Sequence, residues 1–193
     1  MGQKGCWDCD TWRARVASAA TSVKVSNLIA TAVFILTANK RTAHPNSPLP
    51  LKSASGIVSK NAEGIAILSY LETQKEVPST FAAEALACRK VVQIGIEMQW
   101  LEIIIEGDSL AIIKKCQSKS QDRSQVGVYI HDIHKIIDKF NNIVFKYTLR
   151  SENGLAHILA TESLKKTEEF YLLKNVSGYA EKQKIANWMR EPD

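Results

Sequence analysis

From residue 55 onward, short apolar runs and helical stripes follow one another along the chain. Ser55–Ser59 and Ile65–Leu71 are two such runs, separated by Asn61-Ala62-Glu63-Gly64. This pattern predicts a hairpin turning at Gly64, because glycine accepts the left-handed backbone that tight turns need. Pro78-Ser79-Thr80 opens a helix, with Ser79 or Thr80 offering a hydroxyl to the unpaired N–H groups of its first turn and Gly95 as its left-handed stop. Glu84 is expected in that first turn, where the helix dipole favours a carboxylate. Leu101, Ile103, Ile104 and Ile105 make a nearly continuous aliphatic run ending at Glu106, as in a central strand covered on both faces. Gly107-Asp108-Ser109 ends it, and a helix to about Cys116 follows. Asp108 is therefore expected at the C-terminal edge of a buried strand, where ligand and catalytic groups of α/β sheets collect.

Val126, Tyr129, Ile130, Ile133, Ile136, Ile137 and Phe140 recur at three- and four-residue intervals and predict an amphipathic helix. Ile143, Phe145, Tyr147 and Leu149 alternate with Val144, Lys146 and Thr148, the signature of a half-buried strand. A last helix is expected from Ser151 to Lys165, burying Ala156, Leu159 and Ala160. Upstream, the β-branched and apolar residues 23–36 predict a first strand, and residues 37–54, with Pro45, Pro48 and Pro50, a loop. Residues 1–22 show no period, and 166–193 read as a charged tail. The expected α/β architecture is a five-stranded mixed sheet with helices on both faces, formed by residues 23–165.

Composition narrows the function classes. The chain has 193 residues, 45% of them hydrophobic and 23% charged, enough for a packed core. The longest apolar run, Leu28 to Leu36, is far shorter than the ~20 residues of a membrane-spanning helix. The net charge of +5 is uneven, with six Lys/Arg against two Asp/Glu in residues 1–50 and near balance elsewhere. That permits a phosphate-bearing partner without demanding one. Cys6 and Cys9 form a lone C-x-x-C, short of the four ligands of a structural zinc site, while Cys88 and Cys116 read as small core residues. Such cysteine usage fits a reducing intracellular compartment, nuclear or cytoplasmic.

Three segments carry a resemblance. Ala82–Lys115 holds Ala83-Glu84 at a helix start and Glu106-Gly107-Asp108-Ser109 at a strand end; Phe145–Ser163 holds Arg150-Ser151-Glu152-Asn153 followed by Ala156-His157-Ile158-Leu159-Ala160; Ser53–Ile67 holds the glycine-marked hairpin. Together they resemble ribonuclease H-like domains, most closely the plant reverse-transcriptase-like group. The resemblance implies a ribonuclease H-like fold, nucleic acid as partner, and metal-dependent endonucleolytic hydrolysis of RNA in RNA/DNA hybrids. It also implies Mg²⁺ or Mn²⁺, since hard ions take oxygen ligands and two of them activate water and stabilise the leaving oxygen.

By the same resemblance Glu84 and Asp108 match two of the usually four carboxylates. His157 stands where the last one, or its histidine variant, belongs. Imidazole is a poorer ligand for Mg²⁺ than carboxylate. The first carboxylate falls at Leu28, and no Asp or Glu occurs from Thr11 to Lys60. Weak ion binding and feeble or absent hydrolysis are expected, the alternative being a non-catalytic nucleic-acid-binding or protein-interaction scaffold. Arg150 and Asn153 match polar positions of the motif and are expected nucleic-acid contacts, Asn153 either shaping the turn before the last helix or touching substrate. Lys114, Lys115, Lys119 and Arg123 form a basic cluster that either meets phosphates or is a solvated loop. His131, Asp132, His134 and Asp138 lie opposite their helix's apolar stripe and are expected to face solvent.

Overall fold

The structure, a computed structural model, describes residues 29–40, 51–62, 64–152, 154–166 and 170–173. In chain order the elements are β1 (Ile29–Lys40), β2 (Leu51–Lys60), β3 (Ala66–Val77), α1 (Thr80–Glu97), β4 (Glu102–Gly107), α2 (Leu110–Gln117), α3 (Gly127–Ile136), a 3-10 turn (Ile137–Lys139), β5 (Asn142–Tyr147), α4 (Gly154–Lys166) and β6 (Phe170–Leu173). The six strands lie in the order β5-β4-β1-β2-β3-β6. β1 runs parallel to β4 and antiparallel to β2, and β4 runs parallel to β5, so the sheet is mixed.

Both faces are covered. Ile57 and Leu68 join a core with Ala83, Val91, Ile94, Ile112 and Ile133 of α1, α2 and α3. Their strand-mates Val58 and Leu71 pack with Ala156 and Leu159 of α4. The side-chain period of two sends neighbouring residues of one strand to opposite layers. Ala156, Leu159 and Ala160 are buried as expected, and Trp100 is core.

The hairpin forms around Gly64, whose φ is +78°. Its turn is closed by Gly64 N–H to Asn61 O at 2.9 Å and Ile65 N–H to Asn61 Oδ1 at 2.8 Å. Ser79 caps α1, its Oγ accepting from Ala82 N–H at 3.1 Å.

Several expectations are corrected. The sheet has a sixth strand, because Phe170–Leu173, within the expected charged tail, pairs antiparallel with β3. Four residues are too short a run to show a period. The first strand runs on to Lys40, with residues 23–28 of the expected strand lying outside the described residues, and the expected loop 37–54 is strand at both ends: Asn39 pairs with Ser53 and Lys40 with Lys52. Ladder hydrogen bonds come from the backbone, so these polar ends needed no apolar pattern. Gly95 does not stop α1, which runs to Glu97; it lies inside the helix, where a Cβ would come within 3.0 Å of the Phe140 ring. The left-handed residue is Gln99, with φ of 55°. Trp100 N–H reaches Gly95 O at 2.9 Å and Gln99 N–H reaches Ile96 O at 3.0 Å, the paired bonds of a Schellman stop. The alternation expected to Leu149 ends early: Tyr147 and Leu149 are exposed and Thr148 is buried. β5 is an edge strand that finishes at Tyr147, and the chain turns away beyond it.

Candidate active site

The site is built where β4 stops. Ile103 and Ile105 bury the strand between β1 and β5, and this fixes the position of Gly107 and the two residues after it. Asp108 follows at once, and Ser109 is the N-cap residue of α2. Asp108 is thus not the helix cap. Ser109 makes no side-chain capping bond; its hydroxyl is directed toward the Glu84 carboxylate on α1 and favours its ionised form. Glu84, Cys88, Gly107, Asp108, Ser109, Ile112 and Ile113 line one recess. Glu84 and Asp108, distant in the chain, therefore converge as expected.

Glu84 is the fifth residue of α1 rather than a first-turn residue, so its electrostatics come from the recess and not from the helix end. Burial pushes its pKa above the ordinary 4.5; the Ser109 hydroxyl opposes this, the Asp108 charge adds to it, and Arg150 opposes it. A carboxyl whose folded-state pKa is raised contributes stability below 4.5 and loses it as pH rises through the folded value. Ionised Glu84 therefore costs stability at neutral pH. Glu84→Gln is expected to raise the urea midpoint at pH 7, with an advantage that shrinks as pH falls toward 4.5 and is gone below it. Paired denaturation curves at the two pH values check this.

Arg150 reaches Asp108 from the turn before α4. Its Nε donates to Asp108 Oδ2 at 3.1 Å. His157, in the first turns of α4, has its pKa lowered by burial and by Arg150, against a smaller opposite pull from Asp108. It is favoured neutral, and its Nδ1 is buried with no hydrogen-bond partner among the described residues.

Other predicted site residues are not brought here. Lys114 and Lys115 lie at the far end of α2, about 9 Å of helix beyond Asp108. Lys115 is held by Asp122 at 2.8 Å, while Lys114, Lys119 and Arg123 are exposed. His131 and Asp138 face solvent, Asp132 pairs with Arg89 at 3.0 Å, and His134 Nε2 lies 3.1 Å from Cys116 O. Among the described residues no cluster of three or more His, Cys, Asp or Glu forms a metal-binding group. Leu28, Asn153, Cys6 and Cys9 lie outside the described residues. Cys88 is the buried core residue expected, but neither it nor Ser109 is read from the sequence as lining the recess. The Asp108-Ser109 dipeptide at a helix start was the available signal for Ser109, whereas nothing local marked Cys88.

The donor set does not fit a pair of Mg²⁺ ions. Two carboxylates, one guanidinium and a neutral imidazole leave a single net negative charge against two dications. Glu84 and Asp108 supply the oxygens for one hard ion, which ordinarily completes its shell with water and substrate phosphate.

A mixed sheet with β4 beside β1, and acidic residues gathered at its end, defines a ribonuclease H-like domain. The chain belongs to the reverse transcriptase-like family, whose model matches residues 48–163. Among solved structures, RNase H1 from the halophilic archaeon Halobacterium salinarum superposes with TM-score 0.58 at 18% identity, over 70% of this chain and 98% of that one. The N-terminal RNase H domain of a Mycobacterium tuberculosis protein gives 0.57 at 13% identity, over 70% and 94%. LC11-RNase H1, solved in complex with an RNA/DNA hybrid, gives 0.56 at 20% identity, over 70% and 98%. No curated protein matches the sequence.

Proposed function

We propose that this chain is a nucleic-acid-binding domain of the RNase H type that engages RNA/DNA hybrids. Its family reaction, metal-dependent hydrolysis of the RNA strand, is held to a low rate by an incomplete metal set. The observation that carries this reading is the convergence of Glu84 and Asp108 in one recess at the end of β4. Two carboxylates from separate elements at a strand edge suit cation-assisted phosphate chemistry better than helix capping, since Ser79 and Ser109 occupy the two N-cap positions. Solved hybrid complexes of a similar fold support the choice of substrate class. A bound ion here would polarise a phosphate oxygen and lower the pKa of its water. Glu84 and Asp108 would hold it, and neutral His157 would add no negative charge to the site.

Binding tests the reading. Fluorescence anisotropy with a labelled hybrid should show an affinity that falls steeply as salt rises, because phosphate contacts release counterions. Salt-independent binding, or none to hybrid, duplex or single strands, would leave the domain as a scaffold.

A further inference from the structure

We infer that Arg150 is the resident cation of the Glu84–Asp108 recess, and that a divalent ion gains Asp108 only by displacing it. The inference rests on the nuclease-type reading of this recess. The Arg150 side chain is 58% exposed while the Asp108 side chain it grips is 13% exposed. The carboxylate is thus screened from water by a guanidinium whose far side is open to solvent.

That one charge faces all three groups the resemblance assigns to the site. It is bonded to Asp108, it favours the ionised form of Glu84, and it disfavours protonation of His157. A dication approaching Asp108 meets an occupied oxygen and a like charge beside it. An ion pair open on one side is weak, so Arg150 releases Asp108 when something better is offered. A nucleic-acid phosphate is such an offer, because the guanidinium fork matches phosphate oxygens. Arg150 drawn onto phosphate would bare Asp108 for the ion. Nucleic acid and cation would then each strengthen the other's binding, as linkage requires.

Calorimetric titration of the full chain with Mn²⁺ alone tests this. Wild type should bind Mn²⁺ weakly. Arg150→Gln should bind it about tenfold more tightly, the scale expected when one opposing charge leaves a partly solvated site. The gain should vanish when Asp108→Asn is added. Arg150→Lys keeps the charge without the fork and should fall between; it also serves as the folded comparison if Arg150→Gln is impaired by circular dichroism. Equal or weaker Mn²⁺ affinity in Arg150→Gln, or no Mn²⁺ binding in either protein, overturns the inference. The titration contains no nucleic acid. A gain in Arg150→Gln from a protein that ignores hybrids would therefore sink the proposed function and leave Arg150's role standing. Hybrid binding without that gain would do the reverse.

Discussion

Purified protein incubated with a labelled RNA/DNA hybrid and Mg²⁺ or Mn²⁺ is expected to cut it very slowly or not at all. Any residual cleavage should disappear in Asp108→Asn. The reason lies in charge. The family chemistry brings two dications close together and needs several anionic ligands to hold them. Here Glu84 and Asp108 remain, His157 is neutral, and Arg150 cancels one of the two charges. β1, the strand beside β4, pairs Phe34 with Glu106 and Ile35 with Gly107. Whichever of its residues neighbours Asp108, none is acidic, because no Asp or Glu occurs from Thr11 to Lys60. Loss of an essential member of such a unit costs roughly 10⁴-fold or more in rate. Gel analysis of the products reads the result. Rapid cleavage that Glu84→Gln abolishes would show that two carboxylates suffice.

Gly56→Val is expected to destabilise the fold by about 3 kcal/mol or more and to disturb the site as well. A Cβ at Gly56 would lie 2.3 Å from the carbonyl oxygen of Ala156 and 3.0 Å from the Ala160 nitrogen. Those atoms belong to the backbone of α4, so no side chain can swing aside. The helix would have to lift from β2, taking His157, the neighbour of Ala156, with it. Denaturant unfolding measures the first effect. The His157 ring resonances, followed by NMR, measure the second. A variant as stable as wild type would mean that α4 is not seated where the structure puts it.

The hairpin, α1, β4, α2, α3 and the buried face of α4 were legible because each is a run with an unmistakable period or a marked turn, such as Asn61 to Gly64. Asp108 was legible for a related reason: an aliphatic run must end, and the polar residue that ends it stands at the sheet edge. The ends of β1 and β2 were not, since Asn39, Lys40 and Lys52 are held by backbone pairing that polar side chains neither promote nor forbid. Gln99 was missed because a non-glycine residue in the left-handed region gives no advance sign. Within the site, the motif marked Arg150 as a nucleic-acid contact, but only geometry shows that its partner is Asp108. The basic stretch from Lys114 to Arg123 follows Asp108 closely in sequence, but the length of α2 and the hold of Asp122 on Lys115 set it apart from the recess.

β6 lies past the end of the family match at residue 163 and covers Leu68–Leu71 of β3. A chain ending at residue 163 would keep its recess but bare the outer backbone amide and carbonyl groups of Leu68–Leu71 on β3. Bare strands of that kind recruit strands from other molecules. Among the described residues β6 is the strand that guards this edge, and a trimmed version is expected to clump in the test tube before it melts.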